Sequence, residues 1–182
     1  LYIFIDPNQN LRNVEMKLPI AAPPFVLQKN CRNTNEIFAF AYKNVDLNTE
    51  NSGIEGIPIQ REAKKNLQEA AQSIQHVLSE IFRVQSNMTT RIAILLDDGR
   101  NVEEFKKLLE SKPLPIPYQY RSVTEIASNS IVVESVARFK GLEADLVFMV
   151  CQNEYEANLA SKIIYVGASR AVKELQVFEI LG

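Results

Sequence analysis

Short apolar runs alternate with longer stretches of helical periodicity along this chain. Leu1 to Ile5 is an apolar run stopped by Asp6-Pro7-Asn8, the pattern of a buried strand ending in a turn. Residues 19 to 24 read as a loop and Phe25-Val26-Leu27 as a second short strand. Asn33 or Thr34 can cap a helix whose first turn holds Glu36, with Ile37, Phe38, Phe40 and Ala41 recurring at helical spacing. Residues 44 to 60 are polar, contain Gly53 and Gly56, and read as a surface connection. From Arg61 to about Arg83 one face carries Ala63, Leu67, Ala70, Ala71, Ile74, Val77, Leu78 and Ile81, which predicts an amphipathic helix. Arg91 to Leu96 is a strand closed by Asp97-Asp98-Gly99, and Val102 to Leu109 a helix with an acidic first turn. Pro113, Pro115 and Pro117 break the chain before a strand at Ile131-Val132-Val133. A strand over Leu146 to Val150, a helix over Ala157 to Ala171 and a last strand near Leu175 to Phe178 complete the pattern. Strands alternating with helices predict an α/β fold, a parallel sheet with helices on both faces, which takes its ligands outside the carboxyl ends of the strands.

Composition narrows this only a little. A chain of 182 residues that is 46% hydrophobic and 23% charged fits one globular domain with a real core. The formal net charge of -2 gives no basic stripe, so charge alone does not drive binding to nucleic acid. Cys31 and Cys151 have no partner at ligand spacing and read as free thiols in a reducing compartment. No segment approaches the roughly 20 apolar residues of a membrane span, and the start lacks the basic flank of a signal peptide. The expected location is the cytoplasm, away from membranes. A strand-like start without Met also reads as a piece cut from a longer polypeptide.

The stretches that point to chemistry are Ser135-Val136-Ala137-Arg138-Phe139-Lys140-Gly141-Leu142-Glu143 and Tyr165-Val166-Gly167-Ala168-Ser169-Arg170-Ala171. A Lys-Gly-Leu-Glu turn feeds a buried strand, and a lone Arg comes later on a small-residue segment. Nowhere is there a Gly-x-x-x-x-Gly-Lys-Ser/Thr phosphate loop, so such a chain can sense and clamp a triphosphate without holding it alone. With Ile5-Asp6-Pro7-Asn8-Gln9 and Leu27-Gln28-Lys29-Asn30-Cys31-Arg32-Asn33-Thr34 these segments stand in a fixed order. In that order they resemble the third, fourth, fifth and sixth motifs of a superfamily 1 helicase of the UvrD/Rep type. The resemblance spans residues 1 to 180 and implies the second, C-terminal RecA-like motor domain, with residues 1–15 as the linker from the first.

It implies more about the site. Arg32 and Arg170 would face ATP bound mainly by a covalently linked N-terminal RecA-like domain, which would supply the phosphate loop, the Mg²⁺ ligands and the catalytic Glu. Phosphoryl transfer needs cationic donors where negative charge spreads over the γ-phosphate, and a guanidinium offers a planar fork for it. Gln9 can donate and accept at once, which suits a γ-phosphate sensor beside the interdomain hinge. Glu143 would accept from a ribose hydroxyl, with Gly141 allowing close backbone approach. Ser135 and Lys140 are the residues expected at single-stranded nucleic acid, with DNA favoured over RNA by family analogy. No metal ligands are expected on this chain itself.

Departures from the family pattern are specific. Cys31 stands where an aromatic usually stacks on adenine, Ala137 replaces a common His, and Asn10-Leu11-Arg12-Asn13-Val14 carries no aromatic to stack on bases. Between Leu96 and Ile131 only a short helix and a Pro-rich link replace the large accessory domain of the UvrD/Rep type. The missing accessory domain weighs against classical processive unwinding, and Cys31 and Ala137 favour the alternative of a degenerate helicase-like domain serving as a non-catalytic interaction or regulatory module. Retention of Arg32, Gly141, Glu143 and Arg170 favours the motor. A stand-alone small-molecule enzyme needs a nucleophile and base pair that is not found. His76 reads as a surface residue, Asp97-Asp98 as a plain turn, and Tyr118 and Tyr120 as half-buried packing.

Overall fold

The computed structural model describes residues 5–11, 15, 25–43, 45, 49–51, 53–84, 90–115, 117–152 and 157–181. Of the strand expected at Leu1 to Ile5 only Ile5 is described, exposed and outside any strand; its other residues, the loop at 19 to 24 and the segment Arg12 to Val14 lie outside the described residues. In chain order the elements are β1 (Lys29–Asn30), α1 (Asn35–Tyr42), β2 (Glu50–Asn51), β3 (Gln60–Lys64), α2 (Leu67–Val84), β4 (Ile92–Leu96), α3 (Val102–Glu110), β5 (Gln119–Arg121), β6 (Ser130–Ser135), β7 (Ala144–Cys151), α4 (Ala157–Ala168) and β8 (Ala171–Ile180).

Six strands form one parallel sheet in the order β3-β8-β7-β4-β6-β5, and β1 and β2 make a separate short parallel pair. The central strands are apolar throughout because both sheet faces are covered. Side chains alternate between those faces. Ile92, Ile94 and Leu96 of β4 with Leu146, Phe148 and Val150 of β7 meet Ile74 and Leu78 of α2 and Phe105 and Leu109 of α3. On the other face Ala93 and Leu95 with Val147, Met149 and Leu175 meet Ile37 and Ala41 of α1 and Ile163 and Val166 of α4. Gly167 lets α4 lie close, since a Cβ there would stand 2.9 Å from Met149 Cε and 3.0 Å from Val136 Cγ2. The α/β architecture with helices on both faces is as expected.

Element boundaries required correction at the sheet edges. Phe25-Val26-Leu27 is not a strand: the three residues are exposed, Phe25 by 89%, and the pairing begins only at Lys29. The helix expected from Arg61 begins at Leu67, because Gln60–Lys64 pairs with Gln176–Ile180 as an edge strand. Its polar side chains fit an edge, where Arg61 pairs with Glu179 of β8. Asn66 then starts α2, its Oδ1 accepting from Glu69 N at 3.0 Å while Glu69 Oε2 accepts from Lys65 N at 3.0 Å. The opposite edge strand, Gln119–Arg121, had no apolar signature, although Tyr120 is buried. Helix α4 stops at Ala168 rather than Ala171, so Ser169 and Arg170 form a turn and Ala171 opens β8.

One connection fixes where Glu143 stands. From β6 the chain passes over β4 to reach β7 with no helix, through residues 136–143. Val136 N donates to Leu96 O at 2.8 Å at the carboxyl end, and Val136 and Phe139 are buried under α4. The segment then turns at Gly141, whose φ of +91° suits glycine. It ends with Glu143 at the amino end of β7.

Asp145 staples that amino edge. Its Oδ2 accepts from Arg91 N at 3.0 Å and Arg91 Nε at 3.2 Å, and its Oδ1 pairs with Lys173 Nζ at 3.1 Å. The starts of β4, β7 and β8 are thereby tied. Burial on its own would raise this carboxyl, but the Arg91 backbone N–H and the Lys173 and Arg91 side chains outweigh it and hold it below the ordinary range. A depressed folded value stabilises the fold above the unfolded pKa, and that contribution is lost as pH falls through the folded one. Asp145→Asn is therefore expected to lower the urea midpoint at pH 7. The gap to the unsubstituted chain should close as pH drops below about 4, and a gap independent of pH would refute this role.

Candidate functional site

Ala144 and Ala171 are register partners across β7 and β8, and Ala144 N donates to Arg170 O at 3.1 Å. The residues just before those strands, Glu143 and Arg170, are thus neighbours at the amino ends of the sheet. This corrects the expectation of a site outside the carboxyl ends: in the chain path both residues stand where a strand begins. Arg32 joins them from the turn between β1 and α1, its Nε lying 2.6 Å from Glu143 Oε1.

The two arginines differ sharply in environment. Arg32 and Glu143 are part-exposed, at 44% and 34% for their side chains, and such a pair contributes only about 0 to 1 kcal/mol. Arg170 is 3% exposed. Its Nε donates to Val166 O at 3.0 Å and its Nη2 to Ser169 Oγ at 2.9 Å. These partners are a carbonyl and a hydroxyl, so neither offsets the charge. Burial and then the nearby Arg32 charge depress the guanidinium pKa, while Tyr165, Glu143 and Asp6 push it back.

Two buried asparagines fix this arrangement. Asn33 Nδ2 donates to Ser169 O at 3.2 Å and Ala171 O at 2.7 Å, the carbonyls on either side of Arg170. Asn30 Oδ1 accepts from Arg32 N at 2.8 Å and Asn33 N at 3.1 Å, shaping the turn that carries Arg32. Asn30 Nδ2 donates to Asn33 Oδ1 at 2.8 Å and Tyr42 Oη at 2.9 Å. The Tyr42 ring meets Tyr165 of α4 edge-on, with centroids 5.0 Å apart. Asn30 was not anticipated and Asn33 was read only as a helix cap. Their spacing around Arg32 was the available signal, together with the phenol of Tyr165 in a largely apolar helix.

The other predicted residues fall into place around this cluster or away from it. Gln9 Nε2 donates to Asp6 Oδ2 at 2.9 Å, and Tyr165 Oη donates to the same oxygen at 2.6 Å. Lys140 Nζ donates to Gln9 O at 3.1 Å, so the ammonium holds the Gln9 turn. Gly141 has open space on its Cβ side and supplies the turn before Glu143. Ser135 is buried at the carboxyl end of β6, where its Oγ accepts from Arg138 N at 3.3 Å, and the fold does not bring it beside the arginines. Cys31 is an exposed free thiol next to Arg32.

At the carboxyl edge Asp97 Oδ2 accepts from Gln152 N at 2.6 Å, and Asp98 Oδ1 accepts from Arg100 N at 2.9 Å. Asp97 thereby ties the end of β4 to that of β7, and Asp98 caps the turn that follows β4. His76 is exposed on α2, and Tyr118 tilts against Phe82 at 4.6 Å. A cavity of about 310 Å³ between α2 and the Pro113-Pro115 loop lies on the other sheet face, lined by Leu78, Phe82 and Tyr120. Among the described residues no group of three His, Cys, Asp or Glu could hold a metal ion. No helix among them is long and apolar enough to cross a membrane.

Residues 130–178, from β6 through the helix-free crossover and α4 into β8, match the family model of the UvrD-like helicase C-terminal domain. That segment, about a quarter of the chain, is similar to a UvrD-like helicase C-terminal domain. Its fold is similar to the crystal structure of the C-terminal domain of a possible DNA helicase from Lactobacillus plantarum WCFS1, with a TM-score of 0.63 and 20% identity. That likeness covers 82% of this chain and 86% of the other. The matched segment contains Glu143 and Arg170, whereas Arg32 and Gln9 reach the cluster from outside it.

Asn33 is the residue on which this geometry turns. Asn33→Ala removes the donor from two buried carbonyls and should cost about 2 to 6 kcal/mol in urea denaturation, at roughly 1 to 3 kcal/mol per unsatisfied group. Asn33→Asp should cost more, since it sets a buried charge against the same carbonyls. A loss below about 0.5 kcal/mol for both, the range of an uninvolved surface position, would show that the bonds do not hold the turn.

Proposed function

We propose that this chain is the second motor domain of an ATP-dependent DNA helicase or helicase-like ATPase. It completes an interdomain ATP site and contacts single-stranded nucleic acid. A linked N-terminal RecA-like domain provides the phosphate loop, the Mg²⁺ ligands and the catalytic Glu. The observation that carries this reading is Arg170, a buried guanidinium bonded to neutral groups and set beside a second, exchangeable arginine. Burying a charge whose bonded partners are neutral is costly even with the Glu143 and Asp6 carboxylates nearby, and an anion brought to the surface above it repays that cost. A scaffold needs no such residue.

The donor set fits a nucleoside triphosphate. ATP held by the partner domain supplies the γ-phosphoryl group, on which negative charge spreads during transfer. Arg170 is already locked in one rotamer by Val166 and Ser169, so little reorganises when that charge develops. Arg32 leaves Glu143 at small cost, which frees a planar fork for phosphate oxygens and a carboxylate for a ribose hydroxyl. Gln9 approaches the same region from the Asp6 turn. The mutual pairing of Arg32 with Glu143, and of Gln9 with Asp6, is the observation that favours the second reading, a non-catalytic module in which these residues only stabilise the domain.

Two measurements test this reading, and the second separates it from the other. The isolated chain is expected to show no ATP hydrolysis above background, and measurable turnover by it would refute the half-site assignment. In the two-domain protein Arg170→Ala should lower kcat by about a thousandfold or more, the scale of an arginine that stabilises phosphoryl transfer. Nucleotide affinity should change little, and Arg170→Met, which fills a similar buried volume without the desolvated charge, should not lower the thermal midpoint. Unchanged turnover with a lowered midpoint would decide for the structural module.

A further inference from the structure

We propose that Asp6 is a positioning residue whose carboxylate couples the Gln9 turn to the helix that leads into the Arg170 turn; this rests on the reading of Arg170 as part of an interdomain ATP site. One oxygen of Asp6, Oδ2, accepts from both Gln9 Nε2 at 2.9 Å and Tyr165 Oη at 2.6 Å. The other, Oδ1, accepts from Asn8 N at 3.0 Å and fixes the shape of the turn. Gln9 and Tyr165 are therefore held at one atom although they are far apart in sequence.

On the α4 side the coupling reaches the guanidinium in one step. Ser169 N donates to Tyr165 O at 3.0 Å, and Arg170 Nε donates to the carbonyl of Val166, the next residue along. Any shift of the last turn of α4 at Tyr165 also shifts the acceptor and hydroxyl that orient Arg170. Burial, then the bond to Asp6, pushes the Tyr165 hydroxyl well above the usual tyrosine range, so it stays a donor. On the other side Lys140, in the crossover that carries Glu143, holds Gln9 O at 3.1 Å. Gln9 is thus gripped by the two segments that place Arg170 and Glu143. For its carboxamide to turn toward a phosphate it must leave Asp6, and Tyr165 then retains the shared oxygen alone.

The arrangement gives Tyr165 a part in turnover that it exerts through Gln9. It is tested in the two-domain protein by nucleic-acid-stimulated ATP hydrolysis of Gln9→Ala, Tyr165→Phe and the double variant, with Asp6→Ala and Arg170→Ala alongside. Tyr165→Phe is expected to lower kcat about tenfold, the scale of one lost hydrogen bond to a charged group. KM for ATP should stay within about twofold, since the bond does not touch substrate. The double variant should be no slower than Gln9→Ala, because the two act in series. Asp6→Ala removes the same bond from the turn side, away from the core, and should reproduce the loss. Wild-type kcat in both Tyr165→Phe and Asp6→Ala, or multiplied losses in the double variant, would overturn the coupling. If those outcomes accompany a strong loss in Arg170→Ala, only the coupling fails. Wild-type turnover in Arg170→Ala would instead overturn the reading of the site on which it rests.

Discussion

The register of β7 against β8 is the constraint on which the site depends. Ala144 opposes Ala171, so the residues entering those strands, Glu143 and Arg170, meet wherever the sheet forms. Both arrive by crossovers that run from the carboxyl end of one strand to the amino end of the next. The first is short: residues 136–143 span at most about 29 Å when fully extended. They must pass along a strand of about 17 to 20 Å and across two strand spacings of about 5 Å each. Little slack remains in which to wind a helix. The path is made by Phe139 buried against the sheet and by Gly141 turning with positive φ, and Glu143 is delivered at one position. The Lys-Gly-Leu-Glu stretch is therefore first a taut crossover, and its chemistry depends on that geometry.

Arg32 and Arg170 show two ways of presenting a cation. Arg170 is immobilised at the expense of solvation, with neutral partners that orient it without cancelling its charge. Arg32 keeps its solvation, and Glu143 holds it loosely. A fixed charge suits a transition state, where reorganisation is the main cost. An exchangeable pair suits a residue that must engage and release within each cycle. Asn30 and Asn33 reconcile the two, since they shape the turn beneath Arg32 and bond the carbonyls around Arg170.

Burial decided how legible each element was in the sequence. The strands over Ile92 to Leu96 and Ala144 to Cys151 are covered on both faces, so their apolar runs had one meaning. The edge strand Gln60–Lys64 is exposed, and its Gln-Arg-Glu-Ala-Lys sequence carries more helical than strand propensity; pairing with β8 overrides it. Phe25-Val26-Leu27 failed the other way, with strand-like side chains and no strand to pair with among the described residues. Arg32, Glu143 and Arg170 stood out because short motifs enclose them. Asn30, Asn33, Asp6 and Tyr165 lie in the same motifs, but their pairing was hidden, because a buried hydrogen bond between distant residues leaves no periodic trace. The side of the sheet was also misjudged. The rule of ligands at carboxyl ends derives from helix-linked crossovers, and here the relevant residues sit in turns at the amino ends.

The segment matched by the family model, residues 130–178, holds only part of this cluster. It contributes the crossover, α4 and Arg170, which would form a sheet edge with a buried charge and no means of sensing what lies beyond. Arg32 enters through Asn33, which is bonded inside the matched segment, and Gln9 enters through Asp6 and Lys140. Each outside residue is thus tied to the matched core by a side chain distinct from the one proposed to meet ligand. That separation has a consequence for divergence. An exposed side chain such as that of Cys31 can be replaced without disturbing the fold, whereas Asn33 and Asp6 cannot change without moving both arginines or the turn of Gln9. The tethers rather than the tips therefore determine whether the cluster can assemble at all.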